Sequence, residues 1–296
     1  MMKKTWTTLL SGLLLAGVLA GCSSNGGAGA SGGGGSVKLA YVAWDSEIAS
    51  TYVVKEVLES KLGADVEMLQ VDAGPMFAGV ADGSADAMVA AWLPSTHASY
   101  IEKYGDKIED LGANLKGTKT GLTVPAYMDI NSIEDLKQET TAETLDRKII
   151  GIEPGAGIMM TTSKALETYG LGDYTLVESS SAAMAQELQK AYNSKQPIVV
   201  TGWTPHWMFA KMDLKYLEDP QNVYGGEEQI HTMVRQGLKE DQPDIYQFFD
   251  RFEWTPDDMA EVMVGVQEGQ DPEQAAKAWV EAHPDQVNAW VEGLGQ

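Results

Sequence analysis

The chain has 296 residues, of which 44% are hydrophobic, so it is long enough to bury cores for two domains of ordinary size. Lys and Arg number 21 against 43 Asp and Glu, a formal net charge of −22. That balance excludes nucleic acid as a partner, because such binding rests on cations neutralising phosphates.

In chain order, the first segment reads as a targeting signal over residues 1–21. Lys3 and Lys4 give a positive start, "LLSGLLLAGVLA" an apolar run too short to span a bilayer comfortably, and "LAGC" a close of small residues before Cys22. This ending resembles a bacterial lipobox, which implies cleavage before Cys22 and a lipid on its sulfur. Cys22 is the one cysteine in the sequence, so neither a catalytic thiol nor a disulfide is expected in the body. Residues 22–36, "CSSNGGAGASGGGGS", have no apolar surface to bury and read as a flexible linker.

From Val37 onward the same grammar is written twice. "KLAYVAWDSEIASTYVVKEVLESKLG" reads as strand, loop and helix, and so does "KIIGIEPGAGIMMTTSKALETYG". A short strand follows each ("ADVEMLQVD", "YTLVESS"), then a helix ("PMFAGVADGSA", "SAAMAQELQKAYN"), then an apolar strand running straight into tryptophan and proline ("ADAMVAAWLPSTH", "PIVVTGWTPHW"). Strands alternating with helices predict parallel βαβ units, and two such sets predict two similar α/β lobes.

In open α/β sheets ligands sit beyond the carboxyl ends of the strands. Trp44, Trp92 and Trp203 all fall there. Three indole faces around one cleft offer π surface without formal charge, which suits a quaternary ammonium that cannot donate hydrogen bonds. Each ring supplies about 0.5 to 2 kcal/mol. Micromolar affinity needs about 8 kcal/mol, so a second anchor is required. "EPGAGIMMTTSKAL" provides one: a glycine-rich turn opening a helix, where Gly157 and Ile158 present free amides and the positive end of the helix dipole to a carboxylate. No phosphate-loop or dinucleotide fingerprint is present. His97 of "WLPSTH" is placed to donate to the same carboxylate, whereas His206 of "TPHW" has a weaker claim. His231 and His283 have no partners at metal spacing, so no metal site and no cofactor are assigned. The remaining tryptophans read as packing residues. Trp254 precedes a capping box on Thr255 and Asp258 and would staple against Met259, Trp279 and Trp290 sit at core positions of late helices, and Trp207 is a loop residue or a first helical turn.

"AYVAWDSEIAST", "ADAMVAAWLPSTH", "GLTVPAYM", "GIEPGAGIM" and "VVTGWTPHWMFAKMDLKYLEDP" together resemble the extracytoplasmic glycine betaine binding proteins of ATP-driven osmoprotectant importers, over essentially the whole chain after the linker. The resemblance implies an α/β, two-lobed periplasmic-binding-protein fold of type II-like form with the ligand in the interlobe cleft. The first part of lobe 1 would be 37–123, lobe 2 124–226, and the return of lobe 1 with its C-terminal helices 227–296. It implies a cage of Trp44, Trp92 and Trp203 around a trimethylammonium group, and a carboxylate clamp of Gly157, Ile158 and His97. The expected ligand is glycine betaine or proline betaine, with choline, carnitine or a sulfonium analogue as alternatives. A hydrolase using Asp45, Glu47, His97 and His206 as acids and bases is the rival from another class, and it lacks a nucleophile with a partnered base. The implied partners are an ABC permease with its ATPase and, through the lipid, the membrane. The protein would work as an extracytoplasmic, lipid-anchored monomer.

Overall fold

The computed structural model describes residues 35–295; the signal segment, Cys22 and all but the last two residues of the linker lie outside the described residues. The first half of the repeat runs β1 (Ser36–Tyr41), α1 (Asp45–Leu62), β2 (Asp65–Gln70), α2 (Ala73–Asp82) and β3 (Ala87–Leu93), followed by α3 (Ala98–Tyr104). A long strand, β4 (Ile108–Pro125), leads through α4 (Glu139–Thr144) to the second half. That half runs β5 (Lys148–Ile150), α5 (Gly157–Tyr169), β6 (Thr175–Val177), α6 (Ser181–Asn193) and β7 (Val200–Thr204). After α7 (Trp207–Lys211) and β8 (Leu214–Tyr216), β9 (Glu228–Arg235) returns the chain to the first half. Five helices close it: α8 (Leu238–Asp241), α9 (Pro243–Arg251), α10 (Pro256–Gln267), α11 (Pro272–Ala282) and α12 (Pro284–Val291).

The two halves repeat in space as they do in sequence. β1 pairs in parallel with β2 and β3, and β5 in parallel with β6 and β7, so their strand orders are β2-β1-β3 and β6-β5-β7. Between them lie β9 and β4, giving a path of β2-β1-β3-β9-β4-β7-β5-β6 with β8 beside β4. β4 changes partner along its length. Ile108–Thr118 runs antiparallel to β9, and Lys119–Thr123 runs antiparallel to β7. One strand therefore carries hydrogen-bonded sheet from one half to the other.

Local chemistry accounts for the element ends. α1 stops at Gly63, whose φ of 65° places it in the left-handed region while its N–H closes on the Leu58 carbonyl. α10 starts at the predicted capping box, with Thr255 accepting from the Asp258 N–H and Asp258 accepting from the Thr255 N–H. β3, "AMVAAWL", is buried along almost its whole length, as expected of a strand covered on both faces. Trp254, Trp279 and Trp290 are core residues: Trp254 packs edge-on against Trp279, which stacks on Trp290 at 5.9 Å. α10 and α11 pack against α1, so the C-terminal helices cover the first half of the repeat.

Candidate ligand-binding site

The C-terminal ends of β1, β3 and β7 each deliver a tryptophan to one place. Trp44, Trp92 and Trp203 line a single cavity with Thr96, His97, Thr120, Ile152, Ala156, Gly157 and Ile158. All six residues singled out by motif are in that lining. Its atom-free space is about 290 Å³, part of it open to solvent. Each of the three indoles is at most 5% exposed.

Every ring is held by its own N–H. Trp92 Nε1 donates to Glu47 Oε1 at 3.0 Å, Trp203 Nε1 to Ser46 Oγ at 3.2 Å, and Trp44 Nε1 to the Glu153 carboxylate. Since the N–H is taken up at the ring edge, the π faces are left for packing or for a ligand. Ser46 and Glu47 belong to the first turn of α1 and Trp44 is its N-cap, so three residues of one four-residue stretch organise the cage. Glu47 is fully buried, and burial pushes its carboxyl up to about 8 against the opposing pull of the Trp92 bond. It is a neutral acid at pH 7, and the cage has no buried negative charge at that point.

His97 faces the same cavity and stacks on Trp44 with ring centroids 5.8 Å apart. Its Nδ1 accepts the Trp92 backbone N–H at 2.9 Å, which puts the ring proton on Nε2. Nε2 is buried and has no partner among the described residues. Burial holds the imidazole down to about 3, so it is neutral and a single-proton donor across the physiological range. Opposite it, α5 begins at Gly157 with no side chain capping its first amides. A Cβ on Gly157 would fall on the Thr96 carbonyl and within 2.8 Å of His97 Cδ2, so only glycine allows this approach.

The arrangement is a neutral, largely aromatic pocket with a buried N–H donor and a helix N-terminus on one wall. Among the described residues no group of His, Cys, Asp and Glu could hold a metal ion. A cation without N–H donors fits the rings, and a carboxylate fits the donors.

The sequence profile of a family described as the substrate binding domain of ABC-type glycine betaine transport systems matches residues 35–282. The chain belongs to that family. The glycine betaine/carnitine transport binding protein GbuC of Listeria monocytogenes serotype 1/2a (strain 10403S) is 56% identical over 154 residues; the chain spans about half the length of this relative, 51% of each being covered. Lactococcal OpuAC, in a closed-liganded conformation complexed with glycine betaine, superposes with a TM-score of 0.82 at 46% identity, covering 87% of this chain and 99% of that one. A choline binding protein of an ABC transporter, in complex with choline, superposes at 0.81 with 29% identity, covering 88% and 92%. This glycine betaine binding-domain family has the two-lobed α/β periplasmic-binding-protein fold, and its members bind substrate without turning it over.

Motif reading of this family member left out part of the lining. Thr96 stands beside His97 in "WLPSTH" and Ala156 beside Gly157 in "PGAGIM", so both were within sight of the quoted motifs. Thr120 gave no signal. It lies inside β4 opposite Trp203, at the point where that strand changes partner, and its Oγ1 is 3.3 Å from Thr96 Oγ1. Thr96 in turn donates to Glu228, which also accepts the N–H groups of Ser95 and Thr96 at 2.7 and 2.8 Å. Glu228, the first residue of β9, thus fixes the loop between Trp92 and His97. His206 is not in the cavity lining; it packs edge-on against Trp203 and caps α7 by accepting the Met208 N–H at 3.1 Å. Trp207 is the first residue of that helix. His231 bonds Asp110 and His283 stacks on Trp279.

Proposed function

We propose that this chain captures glycine betaine or a related quaternary ammonium zwitterion, such as proline betaine, and hands it to an ABC permease for osmoprotection. Trp44, Trp92 and Trp203 hold the methylated cation, while the Gly157 and Ile158 amides and His97 Nε2 hold the carboxylate. The observation that carries this reading is the unpartnered, buried Nε2–H of His97 on the wall of an uncharged three-tryptophan cavity. A donor left bare in such a place costs on the order of 1 to 3 kcal/mol, which a ligand carboxylate recovers. The family and the likeness to a glycine betaine complex support the same assignment.

Two lobes, 37–123 with 227–296 and 124–226, would close around the ligand, with the closed form read by the permease. The change of β4 from β9 to β7 after Thr118 supports a boundary in that strand. The protein would act outside the cytoplasmic membrane, tethered through a lipid on Cys22. Choline is the second reading, favoured by the likeness to the choline complex, but it would leave the carboxylate donors poorly used. Isothermal titration of the purified protein with glycine betaine, proline betaine, carnitine and choline tests the assignment. The two betaines should bind most tightly; preference for choline, or binding of none, would overturn it.

A further inference from the structure

Asp45 sits between two cage organisers, Trp44 and Ser46, yet is not part of the cavity lining. Its carboxylate is spent on the other half of the repeat. Oδ1 accepts Trp207 Nε1–H at 2.9 Å, and Oδ2 accepts Ser181 Oγ–H at 2.9 Å. His206 Nε2 lies 3.3 Å from Oδ2, off the line of a good hydrogen bond. Because His206 Nδ1 accepts from Met208, this Nε2 carries the ring proton beside the carboxylate.

The donors belong to one side and the acceptor to the other. Asp45 follows β1, whereas Ser181 opens α6 after β6, and His206 and Trp207 follow β7. None of these three donors lines the cavity. Burial raises the Asp45 carboxyl, but the nearby His206 and the bonds from Trp207 and Ser181 outweigh it and hold the group down to about 2, so it is ionised at any working pH. Charge-assisted bonds of this kind are roughly twice as strong as neutral ones.

Resting on the ligand assignment above, we infer that Asp45 is the closure latch of this protein, a positioning residue that holds the two halves together over the occupied site without touching the ligand. A latch acts on the fraction of protein in the closed state, and apparent affinity scales with that fraction whatever the ligand. Its loss therefore multiplies every dissociation constant by the same factor and appears mainly as faster release. A cage or clamp residue behaves differently, since its loss depends on which ligand group it meets.

The test uses Asp45→Asn, Trp207→Phe and Ser181→Ala in the full chain. Titration calorimetry and stopped-flow tryptophan fluorescence are run with glycine betaine and proline betaine, and the melting temperature is recorded without ligand. Asp45→Asn should weaken both betaines by the same factor of about tenfold, mostly through the release rate, and leave the ligand-free melting temperature unchanged. Trp207→Phe and Ser181→Ala should give smaller losses in the same direction, and adding either to Asp45→Asn should change nothing further. Should Asp45→Asn fail to fold, the two donor variants carry the test. If the unmodified protein binds and the variants bind as tightly, the latch is wrong and the ligand assignment stands. Unequal losses for the two betaines, or a ligand-free melting temperature that falls with affinity, also overturn the latch. An unmodified protein that binds neither betaine overturns both.

Discussion

At the scale of single residues, the site works by leaving particular atoms free. Trp92 spends its N–H on Glu47, which under the proposed assignment leaves its face for the cation, so Trp92→Ala should weaken glycine betaine binding at least about tenfold by removing one wall of the cage. Unchanged affinity in calorimetry, with the far-ultraviolet spectrum intact, would contradict the cage. His97 spends Nδ1 on the Trp92 amide and has an Nε2–H without a partner among the described residues, which the proposed assignment gives to the carboxylate. His97→Ala should weaken the betaines while barely changing choline, and equal losses would give the histidine another job. Glu47 supplies a pH signature. Its carboxyl, raised from 4.5 to about 8, keeps its proton in the folded protein over a range where the unfolded chain has lost it. Its contribution to stability is therefore full below about pH 4.5 and is lost progressively as the pH rises to about 8. Glu47→Gln keeps an acceptor for Trp92 and cannot ionise. It should flatten that decline, with a gain on the order of a few kcal/mol near pH 8 and none near pH 4.5. Urea midpoints measured across this interval check it; a slope as steep as in the unmodified protein would show that Glu47 is not its source.

At the scale of elements, α5 is placed by what its first residue lacks. Gly157 lets the helix start reach the loop carrying Thr96 and His97, and a methyl group there would strike the Thr96 carbonyl. Gly157→Ala should reduce betaine affinity by more than about tenfold while leaving the ligand-free melting temperature close to normal, because the clash lies across the cleft and not within either packed half. A variant that binds normally would mean the approach is not needed for capture. The strand-to-helix units around this contact were legible because each keeps its own period: the apolar run of β3 ends at "AWLP" and that of β7 at "GWTP", and both tryptophans arrive where the repeat predicts. The connecting strands were not legible. β4 contains Gly112 and Gly117 at φ of 95° and 81°, and its register against β9 shifts three times, which breaks the alternation that would announce a strand. β9 was assigned no element, although it holds Glu228, the residue that fixes the Trp92–His97 loop. Long-range partners of this sort leave no local pattern, which is also why the bonds that the cage indoles donate to Ser46, Glu47 and Glu153 could not be read from spacing.

At the scale of the whole molecule, charge is the property set most plainly by composition and least by fold. Basic side chains are scarce enough to be shared: Lys55 pairs with Glu59 and Glu273 at 2.7 and 2.6 Å, and Arg235 with Asp86 and Asp241 at 2.7 and 2.8 Å. Most such pairs are partly exposed and worth about 0 to 1 kcal/mol each. They cannot offset 43 acidic residues against 21 basic ones. Residual repulsion among carboxylates then opposes the compact state, and salt relieves it, because the screening length falls from about 30 Å at 0.01 M to about 10 Å at 0.1 M. The short ion pairs are screened less than the long-range repulsion, so the net effect of added sodium chloride should be stabilising. The melting temperature should rise on the order of a few degrees between about 0.01 and 0.3 M salt. Betaine affinity should change little over the same range, since the cage, the helix amides and the neutral His97 carry no net charge to be screened. Calorimetric titration and thermal melts at matched salt concentrations read the two quantities separately. A melting temperature that falls with salt would assign the dominant role to the ion pairs, and an affinity that falls steeply would place an ionised group in contact with the ligand.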